Sequence, residues 1–196
     1  MLKTNIIISL NGQEGSGKST IAQMIADELK IPRYYMGQIF RDMALEKGMT
    51  LPEFRKLCDS DPAFDNKVDD YVVKLSQEKE AFIIESRTAW HFIPQSIKVF
   101  LKVDSKVAAE RIFKGLSENN NRGNEDAGLN SVENIQQSII KRRAEDSARY
   151  FSLYNIQQDN DADYDIVIDT TKLNIQEVFT AVLNAIHEKL NQASTE

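Results

Sequence analysis

An α/β fold, a five-stranded parallel sheet sandwiched by helices, is predicted by two observations on this chain. Short apolar runs alternate with longer segments of helical periodicity, and a glycine-rich turn joins the first run to the first helical segment. Buried strands separated by helices make a parallel sheet covered on both faces. Such sheets bind ligands beyond the carboxyl ends of their strands.

The apolar runs Thr4 to Leu10, Tyr34 to Met36, Phe82 to Ile84, Val99 to Val103 and Tyr164 to Ile168 are the expected strands. Helices are expected over Gly17 to Lys30, Gly37 to Glu46, Leu51 to Cys58, Pro62 to Gln77, Ser105 to Phe113, Val132 to Tyr150 and Ile175 to Leu190. Pro32, Gly48 and Pro94 mark breaks between them. In the last helix Ile175, Val178, Phe179, Val182, Leu183 and Ile186 recur at three- and four-residue spacing, a core-facing stripe. Two segments interrupt the alternation. Gly37 to Glu80 inserts several helices between the second and third strands, and Leu116 to Ser131 is polar and asparagine-rich, read as a closing flap ahead of an arginine-rich helix.

The 196 residues, 41% hydrophobic, suffice for one substantial core, so a single domain over 1–196 is expected: core 1–36, 81–115 and 160–191, insert 37–80, flap and arginine helix 116–159. Thirty acidic against 24 basic residues, a net charge of −6, leave no basic stripe for nucleic acid, so none is expected as a partner. The single cysteine, Cys58, permits no intrachain disulfide and reads as a small packed residue, which fits a cytoplasmic setting. The N-terminal apolar run stops at Asn11, too short for a membrane segment, so no membrane partner is expected. Oligomeric state is left open.

The turn reads Gly12-Gln13-Glu14-Gly15-Ser16-Gly17-Lys18-Ser19. Placed between a strand and a helix, it is a phosphate-binding loop: glycines free the backbone to wrap a phosphate, Lys18 supplies a point charge and Ser19 a hydroxyl for magnesium. The following helix aims its unpaired N–H groups at the same anion. Arg41 and Arg87 follow the second and third strands, which open onto the same edge, so both guanidiniums are placed to converge on a second anion. Glu85 closes the third strand, where a carboxylate can hold water on the magnesium that Ser19 touches. Ser86 is the better candidate to cap the short helix expected around Ala89 to Ile93.

On the helix after the flap, Arg142, Asp146 and Arg149 share a face, with Arg143 about one hundred degrees round from Arg142. Arginines arriving on closure suit phosphoryl transfer, in which charge spreads over the moving group's oxygens. No metalloprotease, nucleophile-elbow or cysteine-histidine pattern is present, and the two histidines, His91 and His187, are far apart. A phosphate acceptor needs no strong base because its attacking oxygen is already ionised. A hydroxyl acceptor would need one, and Asp42 is the near candidate.

These residues resemble the nucleoside monophosphate kinase family, and within it the short, archaeal-type cytidylate kinases. The carriers are Gly12 to Thr20, Gly37-Gln38-Ile39-Phe40-Arg41, Ile83-Ile84-Glu85-Ser86-Arg87, Arg143 with Arg149-Tyr150 and Tyr154-Asn155-Ile156, and Tyr164-Asp165-Ile166-Val167-Ile168-Asp169-Thr170. The resemblance implies a P-loop kinase moving the γ-phosphoryl of ATP, with Mg2+, to CMP or dCMP. It implies donor binding by Gly12, Gly15, Ser16, Gly17, Lys18, Ser19 and Thr20, with Arg111 beside the adenine. Acceptor binding by Gly37, Arg41 and Arg87, catalysis by Lys18, Arg143 and Arg149, and a metal at Ser19 and Glu85 complete what it implies. Met36 and Ser86 stand where that family usually carries Ser or Thr and Gly. The alternatives left open by the residues are a kinase for another nucleotide or small acceptor, and a non-catalytic nucleotide-binding module.

Overall fold

The computed structural model describes residues 6–60, 63–117 and 130–193. The start of the expected first strand, the expected helix start at Pro62, and 118–129 of the expected flap lie outside these residues. In chain order the elements are β1 (Ile7–Gly12), α1 (Lys18–Leu29), β2 (Arg33–Tyr35), α2 (Met36–Glu46), α3 (Leu51–Ser60), α4 (Ala63–Glu78), β3 (Phe82–Glu85), α5 (Ala89–Phe92), β4 (Ile97–Lys102), α6 (Ser105–Ser117), α7 (Val132–Tyr154), a 3-10 turn (Asp161–Asp163), β5 (Ile166–Asp169) and α8 (Ile175–Ala193).

The five strands form one sheet in the order β2-β3-β1-β4-β5, and every pairing is parallel. β1 lies in the middle, with Leu10 beside Glu85 of β3 and Val99 of β4. Because the chain runs from β1 to opposite sides of the sheet, a crevice opens at its carboxyl end. Residues 12–17 cross that crevice.

Alternate strand residues feed two cores. Ile8, Leu10, Ile83, Val99 and Leu101 pack on one face against Ile21 and Ile25 of α1 and Val182 and Ile186 of α8. Phe82 and Ile84 pack on the other against Met36 of α2, Val72 and Leu75 of α4, and Ala89 of α5. Beyond the second core, Phe100, Trp90, Tyr150 and Tyr164 form an aromatic cluster, with Phe100 and Tyr164 stacked at 4.7 Å. α6 and α7 pack through Ala108, Ala109, Ile135 and Ile139, which fixes the arginine helix beside the loop. Cys58 is buried with Ala44 and Phe54, as its expected packing role requires.

Several boundaries differ from the sequence reading. Met36 opens α2 instead of closing β2, because its side chain turns into the second core. Leu116, expected to start the flap, lies in the last turn of α6, where it packs beside Ile135. α7 runs one further turn, to Tyr154, and stops where Asn155 takes a left-handed conformation and its N–H bonds back to Phe151.

Candidate active site

The loop after β1 is pinned by its neighbours before any ligand is considered. Gln13 donates its N–H to the carbonyl of Leu101 at 2.9 Å, and its side-chain oxygen accepts from the N–H of Val103 at 2.8 Å, so the start of the loop is held to the end of β4 by two bonds. Gly15 has φ +75°, and a Cβ there would stand 2.7 Å from Ala108 Cα. Only glycine permits that backbone and that approach of α6. Gly17, also at positive φ, precedes α1, whose first N–H groups face the crevice. Ser16 Oγ is buried with no hydrogen-bond partner among the described residues, the state of a group built to meet an anion.

Lys18 Nζ donates to the carbonyl of Gln13 at 2.9 Å. Burial draws its pKa down to about 8, opposed by Glu14 and Glu85 and reinforced by Arg87 and Arg142. Ser19 Oγ donates to Glu85 Oε2 at 2.8 Å, which brings the two expected metal-site residues into contact. Glu85 is also the partner of Arg33, whose Nε donates to Oε1 at 2.6 Å. Among the described residues no three His, Cys, Asp or Glu side chains gather around a point. One hydroxyl and one carboxylate fit magnesium, which keeps several waters and takes the rest of its shell from phosphate oxygens.

Lys18, Ser19, Thr20, Gly15, Gly17, Gly37, Arg41, Glu85, Arg87, Arg111 and Arg149 line one cavity of about 630 Å3. Residues expected for the donor and for the acceptor therefore share one space, of a size that suits small-molecule sites. Gly12, Ser16 and Arg143 are not in its lining. Gly12 faces Leu101, Ser16 is buried in the loop, and Arg143 reaches the site through Glu14.

Two carboxylates that the sequence reading did not weigh as site residues organise the arginines. Asp146 on α7 lies 2.5 Å from Arg87 Nη1, 3.8 Å from Arg142 Nε and 3.7 Å from Arg149 Nη2. Glu14 in the loop pairs with Arg87 Nη2, accepts from Arg143 Nε at 3.1 Å and lies 3.7 Å from Arg142 Nε. Burial opposes the charge on Glu14, but Arg87, then Lys18 and Arg142, outweigh it and hold the carboxyl far below its ordinary pKa. Burial likewise opposes the charge on Arg87, and Asp146 and Glu14 outweigh it, raising its pKa above the usual arginine value. The helical spacing of Arg142, Asp146 and Arg149 was visible in sequence; a carboxylate on the loop as their counterpart had no local signal.

At the end of the cavity expected to take the acceptor, Arg41 donates to Tyr35 Oη at 3.1 Å, and Arg33 and Arg41 each lie 5.5 Å from the Tyr35 ring centre. That ring explains Gly37, since a Cβ there would stand 2.7 Å from it. Arg41 and Arg87 thus enter one cavity but with different partners. Ser86 Oγ accepts from the N–H groups of Thr88 and Ala89, at 3.2 and 3.1 Å, bracing the approach to α5, but the N-cap position is Thr88 and not the expected Ser86, because the helix starts two residues further on. Met36, in the cavity lining, is otherwise core. Asp69, from α4, is buried in that lining: Thr88 Oγ1 donates to Oδ1 at 3.3 Å and Tyr154 Oη to Oδ2. No periodicity singles out Asp69 from its neighbour Asp70, which is exposed.

Arg111 is a clamp. Its guanidinium donates to Gly15 O, to Thr170 Oγ1 and O, and to the carbonyls of Thr171 and Leu173, tying the loop to the turn between β5 and α8. Asp42, the base a hydroxyl acceptor would call for, is exposed, accepts from Gln38 and lies outside the cavity lining.

Residues 7–172 match the cytidylate kinase-like family. The cytidylate kinase of Pyrococcus horikoshii is 34% identical over 187 residues, 95% of this chain and 91% of that one. That of Methanosphaera stadtmanae is 31% identical over 94% of this chain and 99% of its own. An S-adenosylmethionine-dependent nucleotide dehydratase of Lacinutrix mariniflava contains a similar stretch, 34% identical over 95% of this chain but 37% of that protein. Among solved structures, the shikimate kinase of Bacteroides thetaiotaomicron superposes with a TM-score of 0.64 at 15% identity, covering 95% of this chain and 98% of that one, a likeness of fold. Among the described residues no helix is long and apolar enough to cross a membrane. On the near full-length match of sequence, and on the loop and arginines in one cleft, the chain belongs to the cytidylate kinase-like family of nucleoside monophosphate kinases.

Proposed function

We propose that this chain transfers the γ-phosphoryl of ATP, with magnesium, to CMP or dCMP, giving the diphosphate. The observation that carries it is the shared cavity, whose lining holds the phosphate loop with Lys18, Arg41 and Arg87, and Arg142 and Arg149 of α7. Relatives named cytidylate kinase, similar over nearly the whole chain, support the choice of acceptor.

Lys18 and the N–H groups of residues 15–19 would hold the donor phosphates, with Arg111 at the edge where the donor base lies. Ser19 and Glu85 would hold magnesium, which when bound neutralises charge on the donor phosphates. Arg41 and Arg87 would hold the acceptor phosphate, with one of its oxygens towards the donor. That oxygen attacks the γ-phosphorus as the bond to the β–γ bridging oxygen breaks. It is already ionised, so the transfer needs no strong base and the outward Asp42 is no obstacle. Arg143 and Arg149 would stabilise the charge on the moving group. Asp69 would read the base, because a buried carboxylate accepts from the exocyclic amino group of cytosine, where uracil offers an oxygen. The insert 37–80 would then form the acceptor wall, and α7 would carry the arginines that meet the moving group.

Steady-state phosphorylation of CMP, dCMP, UMP and AMP with magnesium-ATP tests this reading. CMP or dCMP should have the highest kcat/KM, and no turnover of any monophosphate by folded protein would sink it. Calorimetry separates the non-catalytic module, which would bind ATP tightly and no monophosphate.

A further inference from the structure

Glu14 is the loop residue that the chemistry above does not use, yet its side chain is only 13% exposed and sits among cations. Arg87 comes from the end of β3, and Arg142 and Arg143 from α7, so guanidiniums from two elements meet one loop carboxylate. Asp146 differs in kind. It stands on the same helix as Arg142 and Arg149, four and three residues away, and belongs to the arginine wall itself. Glu14 stands on the opposite wall, in the loop whose N–H groups face an anion, and spans the cleft to reach the arginines.

A carboxylate and a phosphoryl group ask for the same N–H donors, and arginine presents its donors in a fork that fits either. Two anions on one set of donors also repel each other, most strongly where water is excluded. We propose that Glu14 is a tethered anion that stands in for a phosphoryl group in the ligand-free enzyme, gathering Arg87, Arg142 and Arg143 across the cleft and yielding them as nucleotide phosphates enter. It is a positioning residue: it keeps three cations assembled while the site is empty, and it weakens the grip on bound phosphates so that product leaves. The same charge supports the proton on Lys18 against burial, which ties the loop's own cation to this exchange.

The proposal rests on the phosphoryl-transfer reading, but inorganic pyrophosphate tests it without turnover. Calorimetric titration of wild type, Glu14→Gln and Glu14→Asp at pH 7 and fixed ionic strength should show Glu14→Gln binding pyrophosphate about tenfold more tightly. In steady state the same variant should lower KM for the monophosphate and lower kcat as product release slows, a split that loss of structure would not produce. Binding by Glu14→Gln that equals or falls below wild type overturns the proposal, since Glu14 would then be inert or a simple brace. Should Glu14→Gln fail to fold, Glu14→Asp decides: its carboxylate keeps the charge but is one methylene shorter. Tighter pyrophosphate binding than wild type supports a displaced anion, and equal or weaker binding overturns it. Absence of turnover in wild type would instead sink the transfer reading and leave the pyrophosphate result standing.

Discussion

The phosphate loop and the arginine wall face each other across one cleft, but they are fixed in place by different means. The loop is held by backbone: Gln13 bonds to β4, Gly15 admits α6, and Arg111 ties Gly15 to the turn after β5. The arginine wall is held by charge, with Arg87, Arg142, Arg143 and Arg149 shared between Asp146 and Glu14. A backbone scaffold keeps its shape whatever side chain changes at its tip, whereas an ion cluster depends on each member. Loss of a functional residue on the loop should therefore cost activity alone. Loss of one on the wall should cost activity and stability together.

Arg87→Ala is the largest perturbation, because Arg87 pairs closely with both carboxylates, which Arg142 meets only at 3.7 and 3.8 Å. Its removal leaves Glu14 and Asp146 short of their nearest cation, and buried charges that lose a partner destabilise by about 3 kcal/mol. kcat/KM for the acceptor should fall about a thousandfold, with a melting temperature lower by several degrees. Activity lost with an unchanged melting temperature would break the contrast from the wall side.

Lys18→Met tests the loop side. Turnover should fall by about two to three orders of magnitude, as when a preorganised charge is removed from a transfer site. Stability should move the other way: burial draws the Lys18 pKa down, so its charge is a burden on the folded state at neutral pH that Met does not carry. A melting temperature at or above wild type, read by calorimetry, is the expected outcome.

The same contrast explains what the sequence made legible. β1, the loop and α1 are contiguous, so Gly15, Lys18 and Ser19 stand within a few residues of one another as one readable motif. The sheet and the helices on its faces followed from periodicity; some ends moved where a cap or a side chain decided, as at Asn155 and Met36, and others by a residue or two, as in β4 and β5. The wall is assembled from a distance. Glu14 and Arg143 are 129 residues apart, and Asp69 and Tyr154 are 85 apart, so no window of sequence contains either pair. Arg41 and Arg87 were legible as arginines at strand ends, but their present partners, Tyr35 for one and two carboxylates for the other, were not.

Asp69→Asn sharpens the comparison within the acceptor wall. It keeps size and burial but turns one acceptor oxygen into an NH2 donor. The ratio of kcat/KM for CMP over UMP should fall about tenfold, through loss on CMP, whose amino group needs an acceptor, and gain on UMP, whose O4 accepts. Equal losses on both substrates would assign Asp69 to bracing Thr88 and Tyr154 instead.

The subtlest effect is a pH dependence of folding carried by Lys18. Its folded pKa, about 8, lies below the 10.5 of the unfolded chain. Below pH 8 both states hold the proton and the burial penalty on the charged amine is fully present. Between pH 8 and 10.5 the unfolded chain still holds a proton that the folded protein has released, so folding stability rises with pH across this window. Wild type minus Lys18→Met removes the other titrating groups from the comparison. The difference in urea unfolding free energy should rise by on the order of 2 kcal/mol over the window in ligand-free protein. Pyrophosphate supplies the anion that burial withheld and should flatten the rise. The donor loop therefore has a rigid frame with one labile charge at its tip, and a difference curve that stayed flat without ligand would show that Lys18 is solvated at rest.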